Sequence, residues 1–312
     1  MDAFCEKAKA VVIGHAVGDA LGVPVEFFRR EALERALVTD MSADERGGIP
    51  AGSWSDDTSM SACALDGMAG GKIDYDKIMQ NFAAWLTEGK FTPGGVTFGA
   101  GNTCVAAIGR YLRGMPYDKC GLSGEYDNGN GSLMRIHPFV LHALFKDMSE
   151  EEMLRLTGTA SSLTHAHPRS VVGCQIYALV LSALLSAPEK QSIGRGLKRA
   201  EELLGKNPEF AAYRRIFRKD FAALPRAEIR SGGYVVDTLE AALWCLLTTD
   251  SYPDCVLAAV NLGEDTDTTG AVAGGLAGAL YGYEAVPARW RNALLKRDSL
   301  ENLCARAFAA NV

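Results

Sequence analysis

Apolar residues recur three and four positions apart along almost the whole chain, and strict alternation of apolar and polar residues is nearly absent. That spacing predicts helices over 4–21, 60–68, 137–145, 149–162, 168–187 and 271–282. Another follows Asp76, with Ile78, Phe82, Trp85 and Leu86 on one face. Further helices are expected up to about Arg113, through the Lys- and Arg-richer stretch 189–228, and over 241–247 and 255–260. In the tail, Leu294, Leu295, Leu303 and Phe308 fit one amphipathic helix. The run 170–188 reaches only the short limit for a membrane span and contains Gln175, so it reads as a core helix. No internal repeat and no Pro- or Ser-rich linker divides the chain. The expectation is all-α: one compact multi-helix domain over residues 1–312.

What interrupts this pattern is acidic. Gly22 and Pro24 stop the first helix and leave Glu26 in a loop, a carboxylate between Val25 and Phe27. Asp19 reads as a brace for that turn. Ser55-Asp56-Asp57-Thr58 and Asp265-Thr266-Asp267-Thr268 each place two carboxylates and two hydroxyls at the mouth of a helix. Inside a continuous helix, residues two apart point roughly 200° apart. At a helix N-terminus they can converge, beside N–H groups that favour negative charge. The plainer alternative is an N-cap at each site, but a cap needs one oxygen rather than four. The Ala- and Gly-rich helix after Thr268 would bury its carboxylates, and no Lys or Arg lies between Arg230 and Arg289 to pair with them. Hydroxyl and carboxylate oxygens without His or Cys select hard cations. Two Mg²⁺ or Mn²⁺ ions are therefore expected, balanced by Asp56, Asp57, Asp265 and Asp267.

Other polar segments are less decisive. In Asp127-Asn-Gly-Asn-Gly-Ser-Leu-Met-Arg135, two Asn-Gly pairs call for positive φ, and Ser132 onward reads as a helix start. That suits a phosphate or pyrophosphate cradle, with a plain capped loop as the alternative. It is not a dinucleotide fingerprint, since no strand precedes it and a third glycine is missing. The glycines before Asn102 allow close approach of a ligand but are weak on their own. His165 and His167, before Pro168, suit a cap and a surface group better than a metal site, and His165 is the one to expect near a substrate. Tyr234 follows a glycine turn, where its ring could stack on a base or serve the core. A net charge of −6 argues against nucleic acid or an anionic membrane as partner. Eight scattered cysteines and a non-secretory start point to reduced thiols in a cytoplasm.

Taken in order, six segments resemble the motifs of the ADP-ribosylglycohydrolase family and span nearly the whole chain. They are Gly18-Asp-Ala-Leu-Gly22 with Glu26, Ser55-Asp-Asp-Thr58, Asn128 to Arg135, Thr164-His165, Gly233-Tyr-Val-Val-Asp-Thr-Leu239, and Gly263-Glu-Asp-Thr-Asp-Thr-Thr-Gly270. The resemblance implies an all-α enzyme with two Mg²⁺ or Mn²⁺ ions that hydrolyses the glycosidic bond at C1″ of ADP-ribose. Ser55, Asp56 and Asp57 would bind the ions from one side, and Asp265, Asp267 and Thr268 from the other. Glu26 would act as general base near the ribose, with Asp57 also serving catalysis. Asn102 and the loop residues Asn128, Gly129, Asn130, Gly131, Ser132 and Met134 would bind substrate, the loop at its pyrophosphate. His165 would lie along the groove and Tyr234 would stack on adenine.

The implied partner is an ADP-ribosylated protein or small ADP-ribose conjugate, handled by a monomer without nucleic acid or membrane. Three positions depart from the family pattern. Ser55 replaces the usual Thr, Glu264 stands where a small residue is common, and Gly99 replaces the Asp of a Phe-Asp-Ile-Gly-Asn-Thr motif. The last removes a carboxylate from near the ribose. Two further readings therefore stay in view: a catalytically altered ADP-ribose-binding or structural member, and a binuclear phosphoesterase that cleaves the pyrophosphate.

Overall fold

A computed structural model of the chain describes residues 3–308. Its helices are, in order, α1 (Ala3–Gly22), α2 (Arg30–Leu33), α3 (Asp56–Asp66), α4 (Tyr75–Glu88), α5 (Asn102–Leu112), α6 (His137–Phe145) and α7 (Glu150–Ser162). The second half adds α8 (Pro168–Ser186), α9 (Gln191–Leu204), α10 (Val235–Thr248), α11 (Tyr252–Val260), α12 (Thr266–Tyr281), α13 (Ala288–Ala293) and α14 (Arg297–Ala307). Extended pairing among the described residues is confined to isolated bridges, Asp44 with Ile49, Leu122 with His165, and Gly129 with Tyr234. The fold is all-α.

The centre is an antiparallel pair, α1 against α12. Both helices are apolar or small on nearly every side and buried along most of their length, as core helices should be. Their contact is backbone on backbone. A Cβ at Gly18 would lie 2.0 Å from Gly270 O, and one at Gly14 would lie 2.6 Å from Gly274 O. Glycines four apart on each helix therefore set the approach. At one end of the pair, Gly22 lies over Asp267, so the chain leaving α1 meets the chain entering α12. Glu26 and Asp265 reach the same place by this packing. Helices α8, α10 and α11 cover α12, while α3, α6 and α14 pack on α1. The two stretches long and apolar enough to cross a membrane, Ala3–Val25 and Pro168–Ser186, are mostly buried in this core. All eight cysteines are buried, and none is in a disulfide among the described residues.

Several boundaries differ from the periodicity. Helix α3 begins at Asp56, not near 60, because Ser55 caps it and Asp19 takes up its first N–H groups. Likewise α12 begins at Thr266, five residues ahead of the apolar run. The tail is two helices rather than one. Lys296 breaks it in the left-handed region (φ 48°), with Leu295 N donating to Gly52 O. The segment Pro208–Phe217 coils as a 3-10 helix.

Candidate active site

Both acidic segments occupy the first turns of helices that meet face to face. Asp19, wholly buried on α1, accepts from Ser55 N (2.9 Å), Thr58 N (3.0 Å) and Thr58 Oγ1 (2.6 Å). It thereby fixes the start of α3, rather than bracing the turn after α1, the role expected of it. Ser55 Oγ donates to Asp57 Oδ2 at 3.0 Å, and Thr268 Oγ1 reaches the same oxygen at 3.3 Å from the other helix mouth. Asp267 Oδ1 accepts from Thr268 N. Asp265 stands at the N-cap of α12 but makes no side-chain cap bond. Its Oδ2 instead accepts from Asn130 Nδ2 at 2.8 Å, a link across 135 positions. Capping alone does not explain these residues.

Burial, reinforced by neighbouring carboxylates, pushes Asp56, Asp57 and Asp267 well above the usual carboxylate range. Asp19 is pushed up to about 6, also by burial. Glu26 rises to about 7, through burial first and then the charges of Asp265 and Asp19. None of these groups has a Lys or Arg within ion-pair distance among the described residues. Asp57 Oδ1 is buried with no hydrogen-bond partner among the described residues. Crowded, oxygen-only and uncompensated, this donor set fits a hard cation. As placed, though, no three His, Cys, Asp or Glu side chains among the described residues converge closely enough to grip one. Like charges set apart in this way need side-chain rotation to share an ion.

The Glu26 loop is bolted to the Asp265 loop. Phe27 and Glu264 both adopt left-handed φ, 65° and 62°. Phe27 N donates to Glu264 O (2.7 Å) and Glu264 N to Phe28 O (2.8 Å). Arg30 then ties the two loops to a third segment, donating to Leu262 O (2.7 Å), Arg226 O (2.7 Å) and Ile229 O. Neither Arg30 nor the Asn130 link is foreseeable from sequence, because each depends on a partner more than a hundred residues away.

A cavity of about 350 Å³ joins this acidic end to the glycine loop. Glu26, Asp56, Asp265, Asp267 and Thr268 line one side; Asn102, Gly129, Asn130, Gly131, Met134 and His165 line the other. Asn128 and Ser132 are not among the lining residues. Asn128 Nδ2 donates to Glu125 O, and Ser132 Oγ accepts from Ser161, so both side chains hold the loop from behind. Tyr234, the N-cap residue of α10, is 36% exposed and is not among the lining residues, although its neighbour Gly233 is, whereas Phe27 and Tyr126 project from the mouth at 74% and 99% exposed. Tyr126 carried no signal beyond being an aromatic in a polar loop. His167 serves as the α8 cap, its Nδ1 accepting from Arg169 N. Gly99 has φ 79°, and a Cβ there would lie 2.5 Å from Asp56 Oδ1. Position 99 thus faces the acidic cluster, and a side chain there would be strained by the positive φ and would displace the Asp56 carboxylate.

The ADP-ribosylglycohydrolase family model matches residues 1–312. An ADP-ribosylarginine hydrolase, Tri1, of Serratia proteamaculans is 32% identical over 97% of this chain and 79% of its own. The ADP-ribosyl-[dinitrogen reductase] glycohydrolase of Rhodospirillum rubrum is 33% identical over 93% and 90%. A solved structure described as an ADP-ribosylglycohydrolase-related protein complex superposes with a TM-score of 0.81 at 30% identity, covering 99% of both chains. The chain belongs to the ADP-ribosylglycohydrolase family, and so is a hydrolase of glycosyl bonds.

Proposed function

We propose that the chain hydrolyses the C1″ glycosidic bond of ADP-ribose carried on a protein side chain, releasing intact ADP-ribose. One observation carries this reading: a single cavity joins the crowded carboxylates and Glu26 to the glycine loop and His165. The first end suits a hydrolytic centre and the second a diphosphate. The relatives named above act on ADP-ribosylarginine and on ADP-ribosyl-dinitrogen reductase, which supports a protein acceptor here.

Ser55, Asp56, Asp57, Asp265, Asp267 and Thr268 would hold two Mg²⁺ or Mn²⁺ ions, whose chemistry when bound is to polarise a water and the ribose hydroxyls. Glu26 does the proton work. A carboxyl raised to about 7 is partly ionised at neutral pH, so it can take a proton from the attacking water and hold it. Asn130 keeps Asp265 aimed into the cavity from the glycine-loop side. Gly129 and Gly131 let the diphosphate approach the backbone closely, and Gly131 N–H has no acceptor among the described residues. Exposed next to the lining residue Gly233, Tyr234 would offer a ring face to adenine.

The deciding experiment follows arginine- and serine-linked ADP-ribosyl peptides with Mg²⁺, with Mn²⁺ and with EDTA, identifying products by mass. Metal-dependent release of intact ADP-ribose from one of them is expected. AMP and ribose phosphate would show a phosphoesterase instead. No release from either peptide, with ADP-ribose still bound in a titration, would show a binding-only member.

A further inference from the structure

Arg135 is wholly buried, yet no carboxylate lies within ion-pair distance of it among the described residues. Its guanidinium stacks 4.8 Å over the Phe82 ring, Nη1 donates to Ala160 O (3.2 Å), and Nη2 donates to Thr164 Oγ1 (2.8 Å). Thr164 Oγ1 in turn lies 2.8 Å from His165 Nδ1. The far ring atom, Nε2, has no hydrogen-bond partner among the described residues and edges the cavity, close to where Cβ atoms on Gly129 or Gly131 would sit. The backbone on both sides of His165 is pinned: Leu122 N donates to Thr164 O and Ala166 N to Leu122 O.

We propose that Arg135 is a positioning residue which, through Thr164, locks His165 as its Nε2–H tautomer, so that a neutral N–H donor faces the diphosphate of the substrate. A guanidinium can only donate, so it occupies one lone pair of the Thr164 oxygen. The hydroxyl proton then goes to the best acceptor in reach, His165 Nδ1. In the other tautomer Thr164 would accept from both neighbours, leaving its proton only the sulfur of Cys104, a weak acceptor. Nε2 would then present a lone pair to a phosphate oxygen. Burial, helped by the charge of Arg135, pushes His165 down to about 3, so the ring stays neutral at working pH. The cation remains one hydroxyl behind the donor, where it favours an anion in the cavity without meeting it. This inference rests on the substrate reading above for its ligand, though the tautomer itself can be read without one.

The test is ¹⁵N NMR of histidine-labelled protein, alongside ADP-ribose titration of wild type, Thr164→Val and Thr164→Ser. In wild type, Nδ1 should resonate as an unprotonated ring nitrogen and Nε2 as a protonated one, unchanged from pH 6 to 8. Thr164→Val should lose that locked signature and bind ADP-ribose roughly tenfold more weakly, as expected for one hydrogen bond to a charged group. Thr164→Ser should restore both. A protonated Nδ1 in wild type, or a Thr164→Val protein with unchanged tautomer and affinity, overturns the relay. If wild type shows the expected tautomer but binds no ADP-ribose, the relay stands and the substrate reading fails.

Discussion

At the glycine-loop end of the cavity, the side chains that hold the loop are hydrogen-bonded before any ligand arrives, while Gly131 N–H and His165 Nε2 stay open to it. Asn130 Nδ2 donates to both Thr238 and Asp265, Ser132 is held by Ser161, and Thr164 is bonded on two sides. At the acidic end, whose residues lie on either side of the glycine loop in sequence, the reverse holds. Asp56, Asp57 and Asp267 crowd one another without a cation, and Asp57 Oδ1 is buried with no partner among the described residues. Preorganisation by hydrogen bonds suits a rigid diphosphate, whose shape is constant. Stored repulsion suits a metal, because charges that destabilise the bare protein are those that stabilise the bound ion. One end is finished by folding and the other by its ligand.

The largest expected effect comes from removing a charge at the acidic end. Asp267→Asn should lower peptide hydrolysis to the level of EDTA-treated wild type and abolish any rise in melting temperature with Mg²⁺. In the metal-free protein at pH 8, the same change should raise the melting temperature, since it relieves repulsion from Asp57, Asp265 and Glu26. A fall there would mean that the cluster is not strained as described. Glu26→Gln separates proton transfer from metal holding. It should slow kcat by roughly 10²–10⁴-fold while leaving the Mg²⁺-dependent stabilisation intact. Loss of that stabilisation would place Glu26 among the ligands rather than beside them.

These two ends were unequally legible in the sequence. The acidic helix mouths stood out because doubled Asp residues with flanking hydroxyls are uncommon at a cap, and their local order survives any fold. Glu26 was visible as a carboxylate stranded among apolar residues. Periodicity placed most helices to within a few residues but could not see that α3 begins at Asp56, because its first turn is capped by Asp19 from another helix. The small residues of α12 were evident, whereas their partners Gly14 and Gly18 looked like ordinary helix content, and Gly22 like a helix stop, until the two backbones met. The roles of Arg30 and Arg135, and the bond from Asn130 to Asp265, went unseen for the same reason. Their chemistry lies in carbonyls and hydroxyls supplied from far along the chain, and a single sequence records no such pairing.

Asn130 belongs to both ends, lining the glycine-loop side of the cavity and bonding to Asp265. Replacing it with Ala should lower kcat/KM by roughly 10–100-fold, the range found when the group orienting a metal ligand is lost. Both ends should respond, with weaker Mg²⁺ stabilisation and weaker ADP-ribose binding in separate titrations. A defect confined to ADP-ribose would show that the Asp265 bond carries no weight at the acidic end.

The smallest effect is the most diagnostic of how the acidic end is built. Asp19, raised to about 6, and Asp56, Asp57 and Asp267, raised further, stabilise the fold in their protonated forms. That contribution is complete below the ordinary carboxylate range and is lost as pH rises through the raised values. The buried His15 and His165, lowered to about 4 and about 3, act oppositely: their contribution is present above the ordinary histidine value and is lost as pH falls through the lowered values. Metal-free protein should therefore lose stability as pH rises above the ordinary carboxylate range, through about 6 for Asp19 and further for the others, as the carboxylates ionise against one another. Mg²⁺ competes with those same protons, so its increment in melting temperature should be larger at pH 8 than at pH 5.5. Calorimetry at both pH values, with and without the ion, measures that difference. Equal increments would mean that the ion binds without displacing protons, which carboxylates crowded to this degree do not allow.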